Sequence, residues 1–224
     1  MRDDGDVPPS PAPRKGRPPR VSRAEIVQVA RRVMDEEGGD RLTMRRLARE
    51  LEITPMALYH HVRDKEELML LLLADYAAGA ELPELPGDPR ERIVVAARAM
   101  HDLLAARPRA VEMITADDLL APVGLWFAET IVDAAVACGL TPERAVRAYR
   151  TIWFYTAGEL TVRAAGERRR AERAGEPTYR ERVFAGLDGD AYPRLAGLAG
   201  RWVEITAEDS YEEGLRAVVA GLLP

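Results

Sequence analysis

Residues Leu42–Lys65, LTMRRLARELEITPMALYHHVRDK, constrain the fold more than any other stretch of this chain. They describe two short helices joined by a tight turn. Thr43 is placed to cap the first, because its hydroxyl can accept a bond from an early backbone N–H. Met44, Leu47, Ala48 and Leu51 then recur at helical spacing and give that helix one apolar face. Glu52-Ile53 makes the turn. Thr54-Pro55 opens the second helix, with Thr as cap and Pro at the first helical position, where a missing N–H costs nothing. Leu58 and Val62, four residues apart, anchor it inward, and Pro55, Met56, Ala57, Tyr59 and His60 are left facing out.

An exposed short helix carrying Met, Tyr and His calls for a partner surface. The major groove of duplex DNA supplies one: apolar side chains meet thymine methyl groups, while hydroxyl and imidazole groups meet phosphates. Lys65 follows an Asp64 cap, in the first turn of the next helix, within reach of a phosphate. The whole run resembles the helix-turn-helix of the TetR family of repressors, whose signature is T-x-R-x-L-A…L-Y-x-H-V/F-x-x-K. Thr43, Arg45, Leu47, Ala48, Leu58, Tyr59, His61, Val62 and Lys65 hold those places here. Glu52 stands where the family's turn usually has Gly, so a residue with a Cβ occupies a position that favours positive φ. The resemblance implies DNA contacts from Thr43, Arg45, Thr54, Pro55, Met56, Ala57, Tyr59, His60, His61 and Lys65.

The net charge of −5 argues at first against a nucleic-acid partner. Its distribution argues for one. Residues 14–65 hold 13 Lys/Arg against 8 Asp/Glu, whereas the first 13 residues carry −2 and the remainder −8. A basic front end on an acidic body is the asymmetry of a DNA-binding module joined to a second domain. With 224 residues, 47% of them hydrophobic, the chain can bury a substantial core. It has no run of 18 apolar residues, and Met1–Arg20 lacks the apolar centre of a signal peptide. Cys138 is the lone cysteine, so no intrachain disulfide can form. A cytoplasmic protein is expected.

Taken in order, Met1–Pro13 is rich in Asp, Pro and Gly, and disorder is expected. Arg14-Lys15-Gly16-Arg17-Pro18-Pro19-Arg20 resembles the minor-groove arms of architectural proteins, which makes Arg14, Lys15, Arg17 and Arg20 candidates for groove or phosphate contact. Ser22-Arg23-Ala24-Glu25 is a capping box for a first helix ending at Gly38-Gly39. Asp64 starts a fourth helix, running to about Ala80, that is apolar nearly all round in its first half and so lies between head and body. The spacing divides the chain into an arm at 1–21, a DNA-binding head with its connecting helix at 22–80, and a body at 88–224. Helices five, six and seven are expected over 89–106, 109–115 and 122–137. Thr141-Pro142-Glu143 launches a long eighth helix, 175–189 reads as a loop, a ninth helix spans 192–203, and Ser210-x-x-Glu213 opens the tenth. No strand pattern or internal repeat is visible. The fold class is all-α, a three-helix head on a helical-bundle regulatory body.

The body resembles the regulatory domain of the tetracycline-repressor branch through its order of helices, the Leu103-Leu104…Arg107 run and the closing Gly214-Leu215…Gly221-Leu222 helix. That likeness implies a homodimer through the eighth and tenth helices, where Ala157, Gly158, Ala164 and Ala165 are small and Leu215, Val218, Val219 and Leu222 form a stripe. It also implies a small-molecule effector. Aromatics gather on helices seven and eight, with Tyr149, Trp153 and Thr156 on one face. A pocket is expected near Met100, His101, Met113, Trp126, Tyr149 and Trp153, against the plainer reading of packed core. Val95, Ala99 and Met113 fall where tetracycline repressors place polar and metal-binding groups. A largely apolar or aromatic effector without a metal chelate is therefore expected, and no cofactor.

Catalysis is not expected. His60 and His61 are adjacent and point to different helix faces, so they cannot share one metal. His101 is alone on its helix, Cys138 has no motif that supplies a His partner, and Asp117-Asp118 reads as a helix cap. No P-loop, zincin or nucleophile-elbow pattern occurs. The expected function is a ligand-released repressor that binds a pseudo-palindromic operator as a dimer. The alternative is a helical protein-interaction or small-molecule-binding module without operator binding.

Overall fold

A computed structural model describes residues 21–117, 122–172 and 178–224. Every element among them is helical, which agrees with the all-α expectation. No helix among them is long and apolar enough to cross a membrane.

The head begins with α1, Arg23–Glu37. Its capping box is closed on both sides: the Ser22 backbone N–H donates to Glu25 Oε2 at 2.7 Å, and the Glu25 N–H donates to Ser22 Oγ at 3.2 Å. Ile26, Val27, Ala30, Val33 and Met34 form its buried face. After a single 3-10 turn come α2, Met44–Glu50, and α3, Pro55–Tyr59. The connecting helix α4 is Lys65–Ala77, with the Asp64 carboxylate accepting the Glu67 N–H at 2.8 Å. It ends three residues before the sequence reading placed its end, where Ala78 turns extended and Gly79 takes φ +77°.

Leu68, Met69, Leu72, Leu73 and Tyr76 of α4 are buried in one continuous cluster. Its members come from α1, α2 and α3 on one side and include Met100, Leu104, Val111, Met113 and Phe127 on the other. α4 is thus the shared wall of head and body, which explains why its apolar residues are not confined to one stripe.

The body comprises α5 (Pro89–Ala105), α6 (Pro108–Asp117), α7 (Pro122–Ala137), the long α8 (Pro142–Glu172), α9 (Tyr179–Ala185), α10 (Pro193–Leu198), α11 (Trp202–Ala207) and α12 (Tyr211–Leu222). A second core lies where α5, α7, α8 and α12 meet, around Ile93, Ile131, Ile152, Tyr211 and Leu215. Three expectations need correction. The loop expected over 175–189 contains α9, started by a Thr178/Glu181 capping box that the surrounding Gly and Pro residues obscure. The expected ninth helix is split into α10 and α11 by a 3-10 turn at Ala199–Arg201, beside Gly197 and Gly200. Ser210 makes no side-chain cap on α12; instead Asp209 Oδ1 accepts the Tyr211 N–H at 3.2 Å. Of the expected Asp117-Asp118 cap, Asp117 is the last residue of α6 and Asp118 lies outside the described residues.

Candidate nucleic-acid interface and effector cavity

α3 has five residues and would not persist alone. Three features hold it. Thr54 Oγ1 accepts the Ala57 N–H at 3.2 Å, Pro55 occupies the first turn, and Leu58 and Val62 are fully buried. The turn before it is a Schellman motif: the Ile53 N–H donates to the Ala48 carbonyl at 3.0 Å and the Glu52 N–H to the Arg49 carbonyl at 3.1 Å. Glu52 there takes φ +54°, the one non-glycine residue with positive φ among the described residues. The departure at this position therefore leaves the turn geometry intact and places a side chain in left-handed backbone.

With its inner side anchored, α3 turns Met56 and Tyr59 outward, 69% and 48% exposed. Thr54, Pro55 and His60 are exposed beside them, while Ala57 and His61 are half-buried. Thr43 is exposed too, and its Oγ1 accepts the Arg46 N–H at 3.2 Å. The cations around this face fall into two groups. Arg46 is tied to Glu37 at 2.8 Å and to Glu50 at 3.5 Å, and Arg32 reaches Glu50 at 2.9 Å, so these charges brace α1 against α2. Hydrogen bonding to Arg46 holds the Glu37 carboxyl below its usual range, and Arg32 does the same for Glu50. Arg45 and Lys65 are exposed and have no ion pair among the described residues. Arg23 Nε donates to the His61 carbonyl at 3.1 Å and pairs with Glu67, fixing α1 to the end of α3. Arg14, Lys15, Arg17 and Arg20 lie outside the described residues.

Behind α4 lies a cavity of 520 Å³, a volume in the range of small-molecule sites. Leu73, Tyr76 and Ala77 of α4 form one wall, and Met100, Leu103 and Leu104 of α5 another. Arg107, Ala110 and Ile114 close one side, Val123, Gly124 and Phe127 of α7 a second, and Tyr149, Arg150, Trp153 and Phe154 of α8 the last. Burial pushes the Tyr149 and Tyr76 phenols above their ordinary value, so both stay protonated donors.

Of the six residues named for the pocket from sequence, the cavity brings together Met100, Tyr149 and Trp153. His101, Met113 and Trp126 do not line it. His101 follows Met100 by about 100° of helix rotation and so lies on an adjoining face of α5, turned away from the cavity. Its ring stacks on Tyr211 with centroids 3.8 Å apart, and its nitrogens lie 3.0 Å from Asp102 Oδ1 and 3.0 Å from Glu159 Oε2. Met113 is buried in the core shared with the head, and Trp126 packs edge-on to Phe127 at 5.1 Å. Thr156 is likewise turned from the cavity, 2.7 Å from the Tyr211 hydroxyl. Sequence reasoning missed Tyr76, Arg107, Arg150 and Phe154. For the last two the signal was present: they extend the Tyr149/Trp153 face at neighbouring helical positions.

Comparison with known proteins agrees with both halves of this arrangement. Residues 26–72 match the family described as bacterial regulatory proteins, tetR family, and residues 82–224 match the tetracyclin repressor-like C-terminal domain. The chain is 28% identical over 211 residues to the tetracycline repressor protein class A from transposon 1721 of Escherichia coli, covering 88% of each. Among solved structures it is similar to ActR of Streptomyces coelicolor in complex with actinorhodin, with 28% identity, coverage of 92% of this chain and 96% of that one, and a TM-score of 0.72. It is also similar to BioQ with its double-stranded DNA operator, with 26% identity, coverage of 90% and 98%, and a TM-score of 0.61. With a DNA-reading head and a ligand-domain body both matched, the chain belongs to the TetR family of transcriptional regulators and is not an enzyme.

Proposed function

We propose that this protein is a cytoplasmic homodimeric repressor that a small molecule releases from a pseudo-palindromic operator. One observation carries the reading: a single helix, α4, presents Leu73 and Tyr76 to the cavity while its first turns are buried against the helices that hold α3. In each protomer α3 enters a major groove, with Met56 and Ala57 against base edges and Thr43, Tyr59, His60, His61 and Lys65 on or near phosphates. Arg45 offers a further cation to the phosphates, and the arm residues Arg14, Lys15, Arg17 and Arg20 reach the adjoining minor groove. Two such heads fit successive grooves when their centres lie about 34–36 Å apart.

The dimer forms through α8 and α12. Leu215 and Val219 of α12 face the protomer's own core, so the face offered to a partner is the other one, where Ala217, Ala220 and Gly221 are exposed and small. Gly158 and Val162 of α8 are also exposed. A ligand that fits the cavity only when α4 is displaced shifts the population toward heads with the wrong spacing; it does so through its differential affinity for the two states. Support comes from similar proteins solved in the two kinds of complex, ActR with actinorhodin and BioQ with its double-stranded DNA operator. The test is a footprint on an operator selected from a random duplex pool. Two protected half-sites one helical turn apart are expected, and a single half-site or diffuse protection would contradict the dimeric mode.

A further inference from the structure

The reading of the cavity as an effector site leaves open what fills it, and the wall chemistry narrows that. Among the described residues, Arg107 and Arg150 are the charged members of the lining, and no Asp, Glu or His takes part. The rest of the wall is aliphatic or aromatic apart from the Tyr76 and Tyr149 phenols, and the Tyr76 hydroxyl is already bonded to Asp35. A cationic ligand would meet two positive charges and, among the described lining residues, no counter-charge.

Arg107 is also incompletely satisfied. One Nη donates to the Ala106 carbonyl at 3.1 Å, but Nε is buried with no hydrogen-bond partner, and no carboxylate among the described residues pairs with this guanidinium. Buried donors are normally partnered, and a guanidinium offers adjacent N–H groups in the spacing that a carboxylate accepts. Arg150 is exposed, its guanidinium 5.3 Å from the Phe154 ring centroid, where its charge can draw an anion inward.

Resting on the effector-site reading, we propose that the effector is an aromatic acid: a flat apolar ring system that packs on Trp153 and Phe127 and carries a carboxylate that pairs with Arg107. The Tyr149 phenol, also in the lining, offers the acid a further donor.

Isothermal titration of the full-length protein with 2-naphthoate and with its neutral isostere 2-naphthamide tests this. The acid is expected to bind about tenfold tighter than the amide, the difference expected of a charge-assisted pair over a neutral one. In Arg107→Met the amide should bind as before, which shows the cavity is intact, and the preference should collapse to about twofold or less. Equal binding of acid and amide to the native protein, or a preference that survives in Arg107→Met, overturns the acid assignment and leaves the effector site standing. Failure of both probes to bind at millimolar concentration overturns the effector-site reading and this proposal together.

Discussion

Tyr76 donates its phenolic hydrogen to Asp35 Oδ1 at 2.5 Å, so a residue of the cavity wall is bonded directly to the first helix of the DNA-binding head. Arg31 reinforces the junction: it reaches Asp75 at 3.1 Å and Asp35 at 3.6 Å, and its guanidinium lies 5.5 Å from the centre of the Tyr76 ring. Whatever displaces Tyr76 from the cavity side must displace or break this junction.

Tyr76→Phe keeps the ring and its packing but removes that bond. Coupling between ligand and operator is reciprocal and commonly five- to 150-fold, in affinity. The substitution should leave 2-naphthoate affinity within about twofold and cut the naphthoate-induced loss of operator affinity to about a third or less. Operator anisotropy with and without naphthoate measures it. Unchanged coupling would remove Tyr76 from the transmission path.

Lys65 and Arg45 carry charge that nothing among the described residues neutralises, unlike Arg46. Lys65→Ala should weaken binding to operator and random duplex alike and reduce the slope of log K against log salt by about one. Met56→Ala should keep the slope and change which base is preferred at one position per half-site. A binding-site selection at two salt concentrations reads both, and a Lys65 variant with altered base preference would reverse the assigned roles.

Glu52 and Gly139 occupy the same position of the same motif, since after α7 the Gly139 N–H donates to Val136 and the Leu140 N–H to Ala135. Glycine at φ +99° there is unstrained, whereas Glu52 at φ +54° bears the left-handed cost of a residue with a Cβ. Glu52→Gly should stabilise the protein by about 0.5–1 kcal/mol, the strain relieved less the backbone entropy of glycine. Gly139→Ala should cost about 1 kcal/mol or more. Differential scanning calorimetry decides; a Glu52→Gly variant that melts lower would refute the strain.

Much of this was legible in the residues, and the part that was not has a physical cause. Thr43, Thr54 and Asp64 cap helices as their spacing implies, because an N-cap is a local bond between residues three apart. Leu58 and Val62 read as inward-facing because helical periodicity is local too. The cavity wall is not local. It collects side chains from separate helices, and Met100 and His101 could be told apart only once the partners of each face of α5 were known. Tyr76 lies past the apolar first half of its helix, and nothing local to it pointed to Asp35, 41 residues earlier in the chain.

The junction of α8 and α12 depends on one absent side chain. The Tyr155 hydroxyl donates to the Tyr211 carbonyl at 3.1 Å, and a Cβ on Gly214 would fall 2.1 Å from that hydroxyl oxygen and 2.9 Å from Cζ. Tyr155 is rigid beyond χ2 and cannot yield cheaply. Gly214→Ala should therefore destabilise by about 1–3 kcal/mol, the usual cost of overpacking. The double variant with Tyr155→Phe should recover part of that loss. Denaturant titration of the single and double variants checks both statements.

The central claim is that α3 reads duplex DNA in a sequence-dependent way. A fluorescence anisotropy titration of the full-length protein at physiological salt tests it most directly, with the operator selected from a random pool and a scrambled duplex of equal length and composition. Operator binding at least about a thousandfold tighter than scrambled binding is expected, as for specific regulators. Equal affinity for the two duplexes would contradict the account at its root.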